Sequence, residues 1–133
     1  LPHKISALTK LNFLTLSIDV QTLPHEMSHA FKQLKDLDLW CCKKLEYLPR
    51  SFTCCGAFPA LVRIRLDFCG KLVEFPEVDE GALPRLQILD LSFCYSLRSL
   101  PLSLELLTSF RELDLLGVCG SLKRARVSCC FGP

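Results

Sequence analysis

Aliphatic side chains recur along this chain at fixed intervals. Residues 86–101 follow the pattern L-x-x-L-x-L-x-x-C-x-x-L-x-x-L-P, and close variants of it occupy residues 61–76 and 34–49. Looser copies precede and follow these three. The central strand positions lie 23 to 27 residues apart and are Leu14, Leu37, Ile64, Leu89 and Leu113. The chain is therefore built from repeats, and its fold follows from how one repeat packs on the next.

Each copy with a strand contains two aliphatic residues, all leucine except Ile64, separated by a single polar residue, which is the two-residue period of a half-buried β-strand. One repeat cannot bury the apolar edge of such a strand alone, so consecutive repeats stack and their strands form a parallel sheet. The cysteine after the strand points into the core in leucine-rich repeats, and the closing proline has no amide to donate to a ladder. We therefore predict an α/β leucine-rich-repeat solenoid, a horseshoe with a parallel concave sheet and short helical or irregular convex arms.

The repeats are predicted to fill residues 1–118, as about five copies preceded by a first, partial copy at 1–10. The copy that contains Leu14 has Asp19 at the position occupied by cysteine in the next three copies. Residues 119–133 depart from the pattern and are predicted to form an off-pattern C-terminal tail. Because the sequence has no initiator methionine, no signal-peptide pattern and no polar capping repeat, we expect it to be a fragment of a longer protein.

Cysteine content and charge indicate a cellular location and exclude some classes of partner. The chain has nine cysteines, and Cys42, Cys69 and Cys94 share one repeat position, where we expect a buried column of reduced thiols. The odd count and the lack of C-x-x-C spacing favour a reducing, cytoplasmic location. The net charge of +2 is too small to indicate a nucleic-acid partner. No apolar run reaches the roughly 18 residues of a membrane span, so no membrane association is predicted.

Residues 89–101, LDLSFCYSLRSLP, resemble the repeats of plant nucleotide-binding leucine-rich-repeat immune receptors, and Asp38, Asp90 and Asp114 supply the Asp of the family's L-D-L strand. The resemblance implies that this region senses a pathogen effector or a guarded host protein, and that with the other domains it holds the receptor inactive until then. Nucleotide hydrolysis belongs to a separate upstream domain in that family. No G-x-x-x-x-G-K-S/T motif occurs here, so neither a nucleotide nor a cofactor is expected. A second interpretation is the substrate-receptor subunit of an F-box ubiquitin ligase, whose repeats also carry cysteines.

Strand residues that flank the buried leucines are predicted to point outward, in columns whose members lie about 4.8 Å apart. The columns are Phe13, Asp36, Arg63, Ile88, Glu112; Thr15, Asp38, Arg65, Asp90, Asp114; and Ser17, Trp40, Asp67, Ser92, Leu116. One interpretation is a solvated sheet whose charges neutralise one another, with Asp36 facing Arg63 and with Asp38, Arg65 and Asp90 forming an alternating ladder. The other is a protein-docking surface anchored by Trp40 beside Arg63 and Arg65. Its predicted binding residues are Trp40, Arg63, Arg65, Asp36, Asp38, Asp67, Asp90, Glu112 and Asp114.

The segment His25-Glu26-Met27-Ser28-His29 matches H-E-x-x-H, which on a helix places two zinc-binding imidazoles beside a general-base glutamate. A zinc metalloprotease is therefore a third interpretation. Against it, Met27 falls on an apolar repeat position equivalent to Leu104, and no third ligand has a motif of its own. The prediction is that the chain is not an enzyme and binds no metal.

Overall fold

Five short strands form one parallel sheet in a computed structural model that describes residues 9–118. The strands are β1 (Phe13–Thr15), β2 (Asp36–Asp38), β3 (Arg63–Arg65), β4 (Ile88–Asp90) and β5 (Glu112–Asp114). They lie side by side in chain order, so each strand pairs with the strand of the next repeat. This α/β arrangement is compatible with a leucine-rich-repeat solenoid. Residues 1–8 of the predicted partial copy and the predicted tail at 119–133 lie outside the described residues.

The predicted register of the sheet is confirmed. Leu37 pairs with Ile64, and Ile64 pairs with Leu89, on adjacent parallel strands. Leu37 and Leu89 are fully buried, and Ile64 is almost so. Leu14 lies on β1, the first strand of the described sheet, and is only half-buried.

The predicted column of reduced thiols is also confirmed. Cys42, Cys69 and Cys94 are free and fully buried. Each thiol donates a hydrogen bond to a backbone carbonyl of the preceding repeat: Cys69 to Leu39 at 3.1 Å, Cys94 to Leu66 at 3.1 Å and, more weakly, Cys42 to Leu16 at 3.5 Å. The cysteine position thus joins consecutive repeats, and only a protonated thiol can donate in this way.

The pKa is raised in two of these thiols, Cys69 and Cys94, whereas a hydrogen bond with Cys69 lowers the pKa of Cys42 from 9.0 to about 7, with burial acting in the opposite direction. Hydrogen bonding with Cys42, together with burial, raises the pKa of Cys69 far above its ordinary value. Burial raises the pKa of Cys94 from 9.0 to about 12. Both groups are therefore held as neutral thiols at physiological pH, and neither is an activated nucleophile.

The arms that connect the strands are short helical turns and irregular segments, as predicted. They contain one α-helix, α1 (Met27–Ala30), and the 3-10 helices Arg50–Thr53 and Leu102–Leu106. Each of these turns buries one apolar side chain in the core: Met27, Phe52 or Leu104. No helix within residues 9–118 is long and apolar enough to cross a bilayer.

Candidate binding surface on the sheet

The outward side of the sheet, termed here the sheet face, consists of the three columns predicted from the sequence, although two of their members, Asp38 and Ser92, are buried. The first two columns are paired residue by residue across all five strands. The third continues beyond the strands, where the amide of Cys41 donates to the carbonyl of Asp67 and that of Phe68 to the carbonyl of Ser92. Side chains from successive repeats therefore form one continuous surface.

Arg65 is the electrostatic centre of the sheet face. Its guanidinium lies 3.5 Å from Asp38, 3.8 Å from Asp67 and 3.9 Å from Asp90. The pairs with Asp38 and Asp90 were predicted from the register. The pair with Asp67 was missed, although residues 65 and 67 alternate onto the same side of an extended chain. One cation thus holds three carboxylates drawn from three consecutive repeats.

Two of the carboxylates on this face have raised pKa values. Burial raises the pKa of Asp67, and Arg65 only partly offsets it. Burial likewise raises the pKa of Asp36, with Arg63 acting in the opposite direction. One oxygen of Asp67, Oδ1, is buried and has no hydrogen-bond partner within the described protein. The network therefore carries a desolvation cost that its ion pairs do not fully offset.

The aspartates of the L-D-L strands also have a local structural role. Oδ1 of Asp38, Asp90 and Asp114 accepts a hydrogen bond from the amide two residues later, at 3.2, 2.9 and 3.1 Å. This Asx-type bond holds the chain as it leaves the strand. Arg65 occupies the same position in the third repeat, where that bond is replaced by the three ion pairs.

The predicted anchor, Trp40, is exposed, but it makes no cation–π contact with the two arginines. Its side chain is 46% exposed, and no cation–π contact joins it to Arg63 or Arg65 in the described structure. Arg63 makes the predicted pair with Asp36 across 3.8 Å. Because Arg63 is half-exposed and held by one weak pair, its guanidinium is available to another molecule at little cost.

At the β5 end of the sheet face the charges are uncompensated. Glu112 lies beside Ile88, and Asp114 lies beside Asp90. Neither carboxylate of β5 pairs with a cation within residues 9–118. The three columns together hold six carboxylates and two guanidinium groups, a surplus of four negative charges on a chain whose net charge is +2.

A further feature at the rim of this face was not predicted. The residue three positions after the middle strand column has a left-handed backbone in four consecutive repeats: Cys41, Phe68, Phe93 and Gly117, with φ of 58°, 62°, 58° and 79°. The rings of Phe68 and Phe93 stack with centroids 4.5 Å apart, and Tyr95 lies 6.2 Å from Phe93. We call Phe68, Phe93 and Tyr95 the aromatic ridge. Gly117 at the same offset was the only sign of this turn in the sequence.

Away from the sheet, a groove of about 1130 Å³ lies along the Leu-Pro segments of three repeats, beside Tyr47, Pro76 and Leu102. Two of its charged side chains, Arg50 and Glu77, are already engaged within the protein. Arg50 pairs with Asp79 at 2.6 Å, and Glu77 accepts a hydrogen bond from Ser103 at 2.6 Å. The groove therefore has fewer unpaired charges to offer a partner than the sheet face has.

The H-E-x-x-H segment lacks the geometry of a zinc-protease helix. Helix α1 begins only at Met27, which is fully buried, so His25 lies before the helix. His25 contacts Glu26 at 3.2 Å, and Nδ1 of His29 lies 2.9 Å from the hydroxyl of Ser28. Within residues 9–118 no three His, Cys, Asp or Glu side chains lie together in a group that could hold a metal ion.

Comparison with known proteins gives a partial similarity. No protein-family model matches the chain. The chain is similar to the probable disease resistance RPP8-like protein 2 of Arabidopsis thaliana, with 34% identity over 70 residues. The matched stretch is 52% of this chain and 8% of the length of that protein. Over about half of its length, the chain is thus related in sequence to a short part of a plant disease-resistance protein.

Proposed function

We propose that this chain is part of the leucine-rich-repeat horseshoe of an intracellular plant nucleotide-binding immune receptor. Its concave sheet face binds a pathogen effector or a host protein, and other surfaces contact the remaining domains of the same receptor. The chain acts by binding rather than catalysis, and it holds no nucleotide, nucleic acid or cofactor. The single observation that carries the proposal is the sheet face, where five repeats present polar and aromatic side chains in unbroken register.

Two other findings support this function. The similarity to a plant disease-resistance protein supports an immune role. The buried thiols Cys42, Cys69 and Cys94 are free, as expected of a chain that resides in the reducing cytoplasm.

In this proposal the residues of the sheet face have different roles. Arg65 is held by three carboxylates and fixes the surface in shape. Trp40 and Arg63 are exposed and lightly held, and both residue types are enriched among those that dominate binding energy. A partner that binds this surface in only one receptor conformation shifts the receptor toward that conformation.

The test compares variants of the longest polypeptide that the gene encodes, expressed in leaf cells challenged with a panel of pathogen strains. Trp40→Ala and Arg63→Ala should each reduce the cell-death response about tenfold or more, the loss expected from one interface residue worth at least 1.4 kcal/mol. Tyr47→Ala is the matched control, because Tyr47 is 49% exposed but lies in the groove away from the sheet. Its response should equal that of the unaltered protein.

Equal accumulation of all variants, measured by immunoblot, ensures that the comparison reports recognition and not folding. A full response from both Trp40→Ala and Arg63→Ala would remove the sheet face as the recognition surface. A loss confined to Tyr47→Ala would move recognition to the groove.

A further inference from the structure

The groove along the Leu-Pro segments contains two carboxylates that have no cationic partner within residues 9–118. Its lining has three charged side chains, of which Arg50 is neutralised by Asp79 at 2.6 Å. Glu74 is exposed and forms no ion pair with a described residue. Glu77 accepts a hydrogen bond from the hydroxyl of Ser103, which leaves its charge uncompensated. Both glutamates belong to the middle one of the three repeats that line the groove, so the negative charge is concentrated there.

The groove also exposes apolar side chains at its two ends. Tyr47, from the first of the three repeats, is 49% exposed, and Leu102, from the last, is 61% exposed. Parallel segments lie about 4.8 Å apart, so the three repeats together span about 10 Å. An occupant that fits this groove is therefore a short run of chain that carries cationic and aliphatic side chains together.

This chain contains such a run close to its C-terminal end. Residues 122–127, called here the basic segment, read Leu-Lys-Arg-Ala-Arg-Val. Three of the six side chains are cationic, and both end residues are aliphatic. Residues 119–133 contain no aspartate or glutamate that could neutralise the cations locally. The charge of the basic segment is thus opposite to that of the groove.

The spacing of the repeats brings the basic segment to the groove. In each lining repeat, five residues lead from the cysteine position to the first residue of the groove, as from Cys94 to Ser99. Val118 occupies the cysteine position of the last described repeat, and the same count leads from it to Lys123. Five residues reach at most about 18 Å, whereas the neighbouring groove segment lies only about 4.8 Å away in register. A chain that follows the path of the earlier repeats therefore leaves the sheet face and arrives at the groove.

The basic segment does not have the residues that would extend the floor of the groove. In the three lining repeats the second groove residue is buried and apolar, and a proline follows it; these residues are Leu48, Phe75 and Leu100. The equivalent residue after Lys123 is Arg124, and alanine follows it. Arginine is almost never fully buried unless it is paired. The side chains of the basic segment are therefore available to fill the groove and do not add another layer to its floor.

We infer that residues 122–127 of this chain dock in the groove along the Leu-Pro segments. In this arrangement cations of the basic segment pair with Glu74 and Glu77, and its aliphatic ends cover apolar surface beside Leu102. The inference does not rest on the proposed function, because the occupant is part of the same chain. A partner that binds in the groove would have to displace the basic segment first.

The first test treats the full chain with a carbodiimide, which joins an amine to a carboxylate only where the two groups are in direct contact. Peptide mapping by mass spectrometry should find Lys123 joined to Glu74 or Glu77. The carboxylates of Glu112 and Asp114 on β5 are the internal control for the sheet face, and neither should be joined to Lys123. In an equal mixture of isotope-labelled and unlabelled chain, no joined peptide should combine the two labels, because the contact forms within one copy.

The second test measures the rate at which trypsin cleaves after the cations of the basic segment. Cleavage follows the population of undocked segment when docking is fast. The double variant Glu74→Gln, Glu77→Gln loses two exposed ion pairs, so cleavage there should become about threefold faster or more. Glu112→Gln is the matched control, since it removes an exposed carboxylate from the sheet face and should leave the rate unchanged. Thermal melting checks that the variants remain folded.

Failure of Lys123 to join either groove carboxylate would overturn the assignment, as would cleavage at the original rate in the folded double variant. Joining of Lys123 to Glu112 or Asp114 would place the basic segment on the sheet face instead. Joined peptides that combine both isotope labels would make a second copy the occupant. Each of these results would leave the Trp40 and Arg63 tests of the sheet face intact.

Discussion

At the scale of single residues, the Cys94 thiol shows how one side chain joins two repeats. It is fully buried and donates to the carbonyl of Leu66 at 3.1 Å. Cys94→Ala removes the hydrogen bond and leaves a small cavity, so we expect the free energy of unfolding to fall by about 1–2 kcal/mol. Urea unfolding at neutral pH, followed by circular dichroism, measures this loss. A change within experimental error would show that the hydrogen bond to Leu66 adds nothing to stability.

The same residue makes the chain sensitive to alkali. Burial raises the pKa of Cys94 from 9.0 to about 12, so the folded state keeps a proton that the unfolded state loses. The stability linked to this proton is full below about pH 9 and is lost as pH rises to about 12. Stability should therefore fall less steeply with pH in Cys94→Ala than in the unaltered chain over this range. Parallel slopes would contradict the raised pKa.

At the scale of the repeated turn, backbone strain lies at the left-handed residue that follows each of the strands β2 to β5. Cys41 has φ of 58° and is only half-buried, so the packing of its side chain stabilises the fold little. Cys41→Gly should raise the free energy of unfolding by up to about 1 kcal/mol, because relief of the left-handed penalty exceeds the added entropy of the unfolded chain. The midpoint of thermal unfolding measures this gain.

Gly117→Ala is the reciprocal control at the equivalent turn. Its φ is 79°, and the added Cβ would lie 2.7 Å from a ring carbon of Phe93. Both effects oppose alanine, so this variant should be less stable than the unaltered chain. Shifts of the same sign in Cys41→Gly and Gly117→Ala would show that the turn does not control stability in this way.

At the scale of the whole molecule, what the sequence predicts depends on how the information is encoded. The pairing of Leu37, Ile64 and Leu89 was predictable because a fixed repeat and a two-residue period leave one register in which every leucine is buried. The pair between Arg65 and Asp67 was not predicted, because the register does not determine the direction in which the long arginine side chain extends. The turn at Phe68 was missed because left-handed backbone is signalled by glycine, and phenylalanine gives no such signal.

The stacked repeats are expected to unfold as one unit, because each buries its leucines against two neighbours. Leu89 is fully buried between β3 and β5, so Leu89→Ala should lower the free energy of unfolding by about 2–5 kcal/mol. Leu14 on β1 is only half-buried, so Leu14→Ala should lower it by less. Trp40 is the only tryptophan and reports on the second repeat, two strands from Leu89. Urea unfolding of Leu89→Ala should therefore shift tryptophan fluorescence and circular dichroism to the same lower midpoint. If the circular-dichroism midpoint fell and the fluorescence midpoint did not, the repeats would unfold separately. The loss of stability at β4 would then not reach the surface around Trp40.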